Sequence, residues 1–328
     1  MDGIVKHEAG LTAHPGQGMG QLVELFLKSQ DIAESSKATY RRYLRMFSAW
    51  IQENPQAAAG GQYTRETILE YKKALGKSGQ GFTAATVSNA IGAVRCFFTW
   101  AESMAYYPNI AKGVKGEKRN RKKHLKGYFT PEQSGAILAA IDRGTLEGGR
   151  DYAIINLMFR LGLREIEICR ANIGDMDRIA GTEVLNILGK GQDEKEWLAL
   201  PPAALGPIRE YLGRRGPAPD DAPLFISHGP TNRGLRLTTR IISRIFTKYK
   251  HKAGIISNKL TAHSCRHSAV TFALLAGASI QEAQAFARHS DINTTLIYAH
   301  NVDREKNITK TPEFKIDAFL NQAQGGGL

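Results

Sequence analysis

The sequence predicts a mainly α-helical chain with a small antiparallel β-sheet, divided into an all-α domain, a basic linker and an α+β domain. Three observations predict it. Apolar residues recur at three- and four-residue spacing through most of the 328 residues, the period of amphipathic helices. One pair of segments, VLNIL at 184–188 and EWLAL at 196–200, flanks a Gly-Lys-Gly-Gln-Asp turn and reads as a β-hairpin. Eight of the fifteen residues from 112 to 126 are Lys or Arg and Glu117 is the sole acid, so this run repels itself, stays extended and takes phosphates as its counterions.

In chain order, residues 1–18 hold Gly, His and Pro without an apolar period and predict a flexible arm. Leu22, Leu25 and Phe26 begin the first helical stripe. Ser35 and Ser36 are the cap types for a second helix through Tyr40, Tyr43, Leu44, Phe47 and Ile51, with Lys37, Arg41, Arg42 and Arg45 beside its apolar face. Further helices are expected over 64–75, opened by a Thr-x-x-Thr cap, and over 84–106, where Val87, Ile91, Val94, Phe97, Phe98 and Trp100 keep helical spacing. These form a small helical domain over 19–111 with a basic face, followed by the linker at 112–126. Its cations Lys118, Arg119, Lys122 and Lys123, like Arg41, Arg42 and Arg45, are candidate contacts to a nucleic-acid backbone.

The second domain, 127–328, starts at Thr130-Pro131-Glu132, an N-cap followed by proline at the first helical position. Helices are expected through Ile137, Leu138 and Ile141 and through Tyr152, Ile154, Leu157, Met158 and Leu161. After the hairpin, Pro201-Pro202 closes the strand and helices resume over 205–211 and 238–249. The latter, with Arg240, Arg244, Lys248 and Lys250, is a second surface suited to phosphates. Residues 313–320 form a short amphipathic helix that must dock its apolar face on something, because so short a helix is marginal alone.

Composition bounds the function. Lys plus Arg number 44 against 31 Asp plus Glu, a formal charge of +13, which favours a polyanionic partner such as nucleic acid. No run of about 18 apolar residues exists and the N-terminus lacks the charged-then-apolar order of a secretory signal, so a cytoplasmic protein is expected. Cys96, Cys169 and Cys265 are far apart and odd in number, which argues against a disulfide framework; each sits in an apolar helical context and is expected buried. Neither a Walker-type loop nor a two-metal carboxylate cluster is present in the sequence.

The chemistry concentrates in 259–298, KLTAHSCRHSAVTFALLAGASIQEAQAFARHSDINTTLIY. His263 and Arg266 are three apart at the start of an apolar helix and can share a face. A second helical pattern, 280–288, leads to His289; breaker and cap residues 290–295 follow, and then Tyr298 on a new element. Zinc bound by His263, Cys265 and His267 is not expected, because these positions point different ways around a helix.

HxxR, then a His before a polar turn, then Tyr nine residues later resembles the tyrosine recombinases, the phage-integrase family. Upstream, Leu161-Gly162-Leu163-Arg164-Glu165 looks like that family's first-arginine box, and Leu188-Gly189-Lys190-Gly191 looks like the hairpin presenting its catalytic lysine. All six positions stand in the family's order over about 135 residues, and the resemblance runs from about Met19 to the end. Two departures stand out. Arg288 occupies the place before the second His where the family commonly has Gly, and Cys265 replaces a larger apolar residue inside HxxR.

The resemblance implies a core-binding domain and a catalytic domain forming a C-shaped clamp on double-stranded DNA. It implies that Tyr298 attacks a phosphodiester, that Arg164 and Arg266 clamp the non-bridging oxygens, that His263 accepts or shuttles a proton, that His289 hydrogen-bonds the phosphate, and that Lys190, with Lys195 as alternative, protonates the leaving 5′ oxygen. A 3′-phosphotyrosine keeps the ester energy, so neither cofactor nor ATP is expected. It further implies a tetramer on paired sites, with helix 313–320 exchanged between protomers. The alternatives are a type IB topoisomerase, with the same chemistry as a monomer, and a DNA-binding protein whose site has decayed.

Overall fold

The computed structural model describes residues 18–57, 62–76, 79–118, 127–189, 191–306 and 312–325, with backbone alone at 301, 303–306, 318 and 321–325. The expected arm and the linker cations Arg119, Lys122 and Lys123 lie outside the described residues, as does Lys190. The chain divides into two units, Met1–His124 and Leu125–Leu328.

In the first unit, helices α1 (Met19–Ser29), α2 (Glu34–Glu53), α3 (Arg65–Leu75) and α4 (Ala84–Ser103) surround an aromatic core. Phe26, Phe47, Tyr71, Phe97 and Phe98 are almost fully buried, and Phe47 meets Tyr71 edge-on at 5.0 Å between ring centres. The Thr64 backbone N–H donates to the Thr67 hydroxyl, one arm of the expected Thr-x-x-Thr cap. Other expectations need correction. α2 opens at Glu34 behind Ala33, so Ser35 and Ser36 lie inside the helix rather than capping it, and the Glu34 carboxylate meets the positive helix end instead. α4 stops at Ser103, because the chain turns through Ala105 with φ 55°.

The basic run does not leave the first unit at residue 112. Val114 is 2% exposed and belongs to the core, Ser88 donates to the Glu117 carbonyl at 3.1 Å, and Lys72 lies 3.7 Å from the Glu117 carboxylate. One buried β-branched residue and one acid pin this part of the run against α3 and α4, while the Lys118 side chain stays exposed. Cys96 also departs from expectation: it is exposed, whereas Cys169 and Cys265 are buried.

In the second unit, α5 (Pro131–Ala139), α6 (Leu146–Arg160), α7 (Glu165–Arg170), α8 (Pro202–Arg215), α9 (Thr239–Lys252), α10 (Ala262–Leu275), α11 (Ile280–Ala287), α12 (Ile292–Lys306) and α13 (Pro312–Gly325) accompany a three-stranded antiparallel sheet. α6 is its axis, buried continuously from Gly148 to Asp151 and from Ala153 to Phe159. Phe129, Phe159 and Phe246 form an aromatic triangle, and the Phe129 backbone N–H donates to the Ser268 hydroxyl at 2.7 Å.

The expected hairpin is β2 (Thr182–Leu188) and β3 (Lys195–Ala199), paired with Leu188 opposite Lys195. A further strand, β1 (Met176–Ile179), pairs with β2 through the tight turn at Ala180 and Gly181, both at positive φ. Its four largely exposed residues carry neither length nor alternation, so the sequence did not predict it. Turns of this kind usually carry Asn-Gly, and Ala180 hides the signal.

Candidate active site

Arg164 is set by the turn between α6 and α7. Gly162 takes φ +58°, and an added Cβ would come within 3.3 Å of Ala269. That conformation suits glycine. The turn leaves the Gly162 carbonyl to accept from Arg266 Nη1 at 2.8 Å, 104 residues away in sequence. Arg164 follows as the cap of α7. Its backbone N–H donates to Glu167 Oε2 at 2.8 Å and its Nη1 to Glu167 Oε1 at 2.7 Å. Glu167, fully buried, therefore fixes both ends of Arg164.

Arg266 is 3% exposed on α10, and its Nη2 has no hydrogen-bond partner among the described residues. Burial, then the like charges of Arg164 and Arg288, push its pKa below the ordinary arginine value. An arriving anion would relieve this strain.

His263 and Arg266 differ more than sequence suggested: the His263 side chain lies at the surface and the Arg266 side chain is buried. His263 and His267 share a face of α10, four residues apart, with ring centres 4.7 Å apart and edge to face. The expectation that they point different ways fails for this pair; Cys265 alone of the three turns fully into the core. Among the described residues no group of three or more His, Cys, Asp or Glu could hold a metal ion.

Tyr298 lies within α12, which continues through the polar residues after it to Lys306. The helix begins where Asp291 Oδ1 accepts the Asn293 backbone N–H at 2.9 Å. Val302 anchors it against Leu274 and Ala283. The Tyr298 hydroxyl pairs with His267 Nδ1, not with His263, and its ring lies nearly parallel to that of His289 at 6.2 Å. Burial, against the opposing charge of Arg266, raises the Tyr298 pKa to about 12. His289 Nδ1 is 3.0 Å from the Thr295 hydroxyl. Its pKa falls to about 4 through burial first and then the charges of Arg266, Arg164 and Arg288, so the ring is neutral near pH 7.

Four separate elements thus bring Arg164, Arg266, His289 and Tyr298 together: His289 feels the charges of Arg266 and Arg164, and Tyr298 that of Arg266. Sequence reasoning missed His267, Glu167 and the place of Arg288. His267 could have been found from its i+4 spacing to His263, and Glu167 from its capping-box position three residues after Arg164. Arg288 closes α11 in the left-handed conformation, φ 51° and ψ 49°. That costs a non-glycine residue about 1–2 kcal/mol. Its Nη2 reaches Glu167 Oε2 at 2.9 Å.

Tyr249 is 4% exposed and donates to Asp151 Oδ2 at 3.0 Å, so it belongs to the core and is no rival nucleophile. Lys195 pairs with Asp175. Of the candidate DNA contacts, Arg41 is held by Glu24 through two hydrogen bonds of 2.9 and 3.0 Å. Arg42 stacks on Tyr43 at 4.5 Å, and Arg45 is exposed. Arg240, Arg244 and Lys248 are exposed at four-residue spacing along α9. Lys250 leaves that surface: it is 5% exposed and donates to the Ser257 and Leu260 carbonyls.

Comparisons with known proteins identify the family. The description "Phage integrase family" matches residues 128–305, and "Phage integrase, N-terminal SAM-like domain" matches 21–104. A tyrosine recombinase of Synechococcus elongatus is 27% identical over 274 residues, covering 80% of this chain and 84% of that protein. Tyrosine recombinase XerC of Actinobacillus pleuropneumoniae is 33% identical over 225 residues, 67% of this chain and 69% of that one. The fold matches the XerH site-specific recombinase bound to a palindromic difH substrate, with TM-score 0.71 at 20% identity over 90% of this chain and 84% of that one. No helix among the described residues is long and apolar enough to cross a membrane. The chain belongs to the phage integrase family, the tyrosine-type site-specific DNA recombinases.

Proposed function

We propose that Tyr298 cleaves one DNA strand by attacking a phosphodiester between Arg164 and Arg266, and that the same site reseals it. The observation that carries this is the convergence of the Tyr298 hydroxyl, the two arginines and neutral His289 from four different elements. The Tyr298 oxygen forms a bond to phosphorus and the bond to the 5′ oxygen breaks, leaving a 3′-phosphotyrosine and a 5′-hydroxyl. The tyrosine proton passes to His267, which already holds the hydroxyl, and His263, beside it at the surface, shuttles that proton to solvent. Arg164 and Arg266 hold the two non-bridging oxygens with their forked, permanently charged donors. With the Thr295 hydroxyl donating to Nδ1, His289 keeps its proton on Nε2 and donates it to the phosphate. Lys190 protonates the leaving oxygen; the alternative, Lys195, is engaged by Asp175. Rejoining reverses the exchange and needs no ATP, because the ester energy is kept.

Residues 19–111 act as the core-binding domain and 127–328 as the catalytic domain. Arg42, Arg45, Lys118, Arg119, Lys122, Lys123, Arg240 and Arg244 supply sequence-independent phosphate contacts. The protein works as a tetramer on paired sites. α13 supports this: Phe314, Ile316, Phe319 and Leu320 are 51–70% exposed, an apolar face fit for a neighbouring protomer. Deleting the chain after Thr311 should spare binding to one half-site and weaken assembly on a full site; unchanged assembly would leave α13 a surface helix of its own protomer.

The test of the chemistry is a nicked suicide duplex built from the DNA flanking the gene. The wild type should form a covalent adduct, and Tyr298→Phe should bind as tightly yet form none. An adduct persisting in Tyr298→Phe would move the nucleophile elsewhere. Relaxation of plasmid lacking any recombination site, at low protein to DNA ratio, would favour a topoisomerase.

A further inference from the structure

We infer that Arg288 is a positioning residue for strand cleavage: by holding the second oxygen of Glu167, it leaves Arg164 with a positive charge to spend on the phosphate. This rests on the proposal that Arg164 is a phosphate clamp. Glu167 is fully buried and accepts from three donors, the Arg164 backbone N–H, Arg164 Nη1 and Arg288 Nη2, at 2.8, 2.7 and 2.9 Å. With Arg164 alone, the pair would be close to neutral, and the guanidinium facing the phosphate would be compensated by its own anchor. With Arg288 added, one carboxylate is shared by two guanidiniums, and the unit carries a net positive charge.

The placement is specific. Arg288 stands 121 residues from Glu167, its side chain is 6% exposed, and its backbone holds a left-handed conformation that glycine would adopt without strain. It also ties the turn carrying His289 to the turn carrying Arg164, so two phosphate contacts from distant elements are registered by one ion-pair network. Arg288 touches Glu167 and the Phe286 carbonyl, not the reacting atoms, and it acts through Arg164 and His289.

The experiment measures single-turnover cleavage of the flanking-sequence suicide duplex at saturating protein, together with half-site affinity. Arg288→Gly keeps the left-handed turn and removes the guanidinium. It should slow cleavage roughly 10- to 100-fold, the scale of a displaced catalytic group, while affinity stays within about twofold. Arg288→Lys should recover part of the rate because it restores the charge. Added to Glu167→Gln, Arg288→Gly should cost much less than it does alone, because its target is gone. Wild-type cleavage by Arg288→Gly, a loss confined to affinity, no recovery with lysine, or the same factor lost on top of Glu167→Gln would each overturn the inference. Arg164→Ala separates the underlying reading: if it cleaves at the wild-type rate, Arg164 is no clamp and that reading falls; if it fails while Arg288→Gly cleaves normally, only this inference falls.

Discussion

The catalytic unit holds two buried arginine clusters, and they are built to opposite ends. In one, Arg150 donates to Asp151 through Nε and Nη2 and to the Ile226 carbonyl through Nη1, Tyr249 closes the other carboxylate oxygen, and Glu147 lies 3.5 Å from the guanidinium at the surface. Burial raises the Asp151 pKa more than Arg150 lowers it, so the charges are held by closure of the network rather than by easy ionisation. In the other, Arg164 and Arg288 share the single carboxylate of Glu167, Arg266 adds a third guanidinium that feels both of them, and guanidinium nitrogens of Arg266 and Arg288 lack hydrogen-bond partners among the described residues. The first cluster is complete without a ligand. The second is a charge imbalance maintained by folding, which suits it to the phosphate proposed above.

The largest effect should come from opening the closed cluster. Asp151→Ala leaves Arg150 buried beside an unpaired Tyr249, and should lower unfolding free energy by about 3–5 kcal/mol in denaturant titration. Cleavage per folded molecule at low temperature should survive. In the open cluster the consequences reverse: Arg164→Ala should lower single-turnover cleavage by about 10²–10³, with a much smaller change in stability. Similar stability losses in both variants would erase the distinction.

How much of this was legible in the sequence follows from the same contrast. The helices of both units and the hairpin follow apolar spacing, which packing enforces. Arg164, Arg266, His289 and Tyr298 were recognisable because they keep a fixed order along the chain. The counter-charge was not legible: Glu167 and Arg288 meet across 121 residues, and only the fold makes them neighbours. His267 was passed over because its partnership with Tyr298 depends on how α12 crosses α10. Val114 and Lys250 misled in the opposite sense, since a charged run and a basic helix each placed one residue inside.

The leaving-group side can be sharpened with a 5′-bridging phosphorothiolate, whose sulfur departs without a proton. Lys190→Ala should be rescued selectively by that substrate, and absence of rescue would turn attention to Lys195. Smaller again is the exposed face of α9. Replacing Arg240 and Arg244 with Gln should flatten the slope of log affinity against log salt by up to about 0.9 per lost phosphate contact. An unchanged slope would make them solvated charges.

The smallest effect concerns pH. His289 has a folded pKa of about 4, below the unfolded value of about 6.5, so the unfolded chain binds a proton that the folded chain refuses. Stability is therefore full above the unfolded value and falls as pH drops toward the folded one. Unfolding measured at pH 8 and pH 5 should show a drop that is smaller in His289→Gln; an equal drop would place the proton elsewhere.

On the reading proposed above, the second cluster sacrifices stability to hold uncompensated positive charge for a phosphate. Arg266→Met tests it most directly, because methionine fills much of the same space without charge. Thermal unfolding without DNA and single-turnover cleavage should be measured on the same preparation. The melting temperature should equal or exceed that of the wild type, with cleavage lower by about 10²–10³. A melting temperature that falls while cleavage persists would contradict it, and would make Arg266 a structural residue like Arg150.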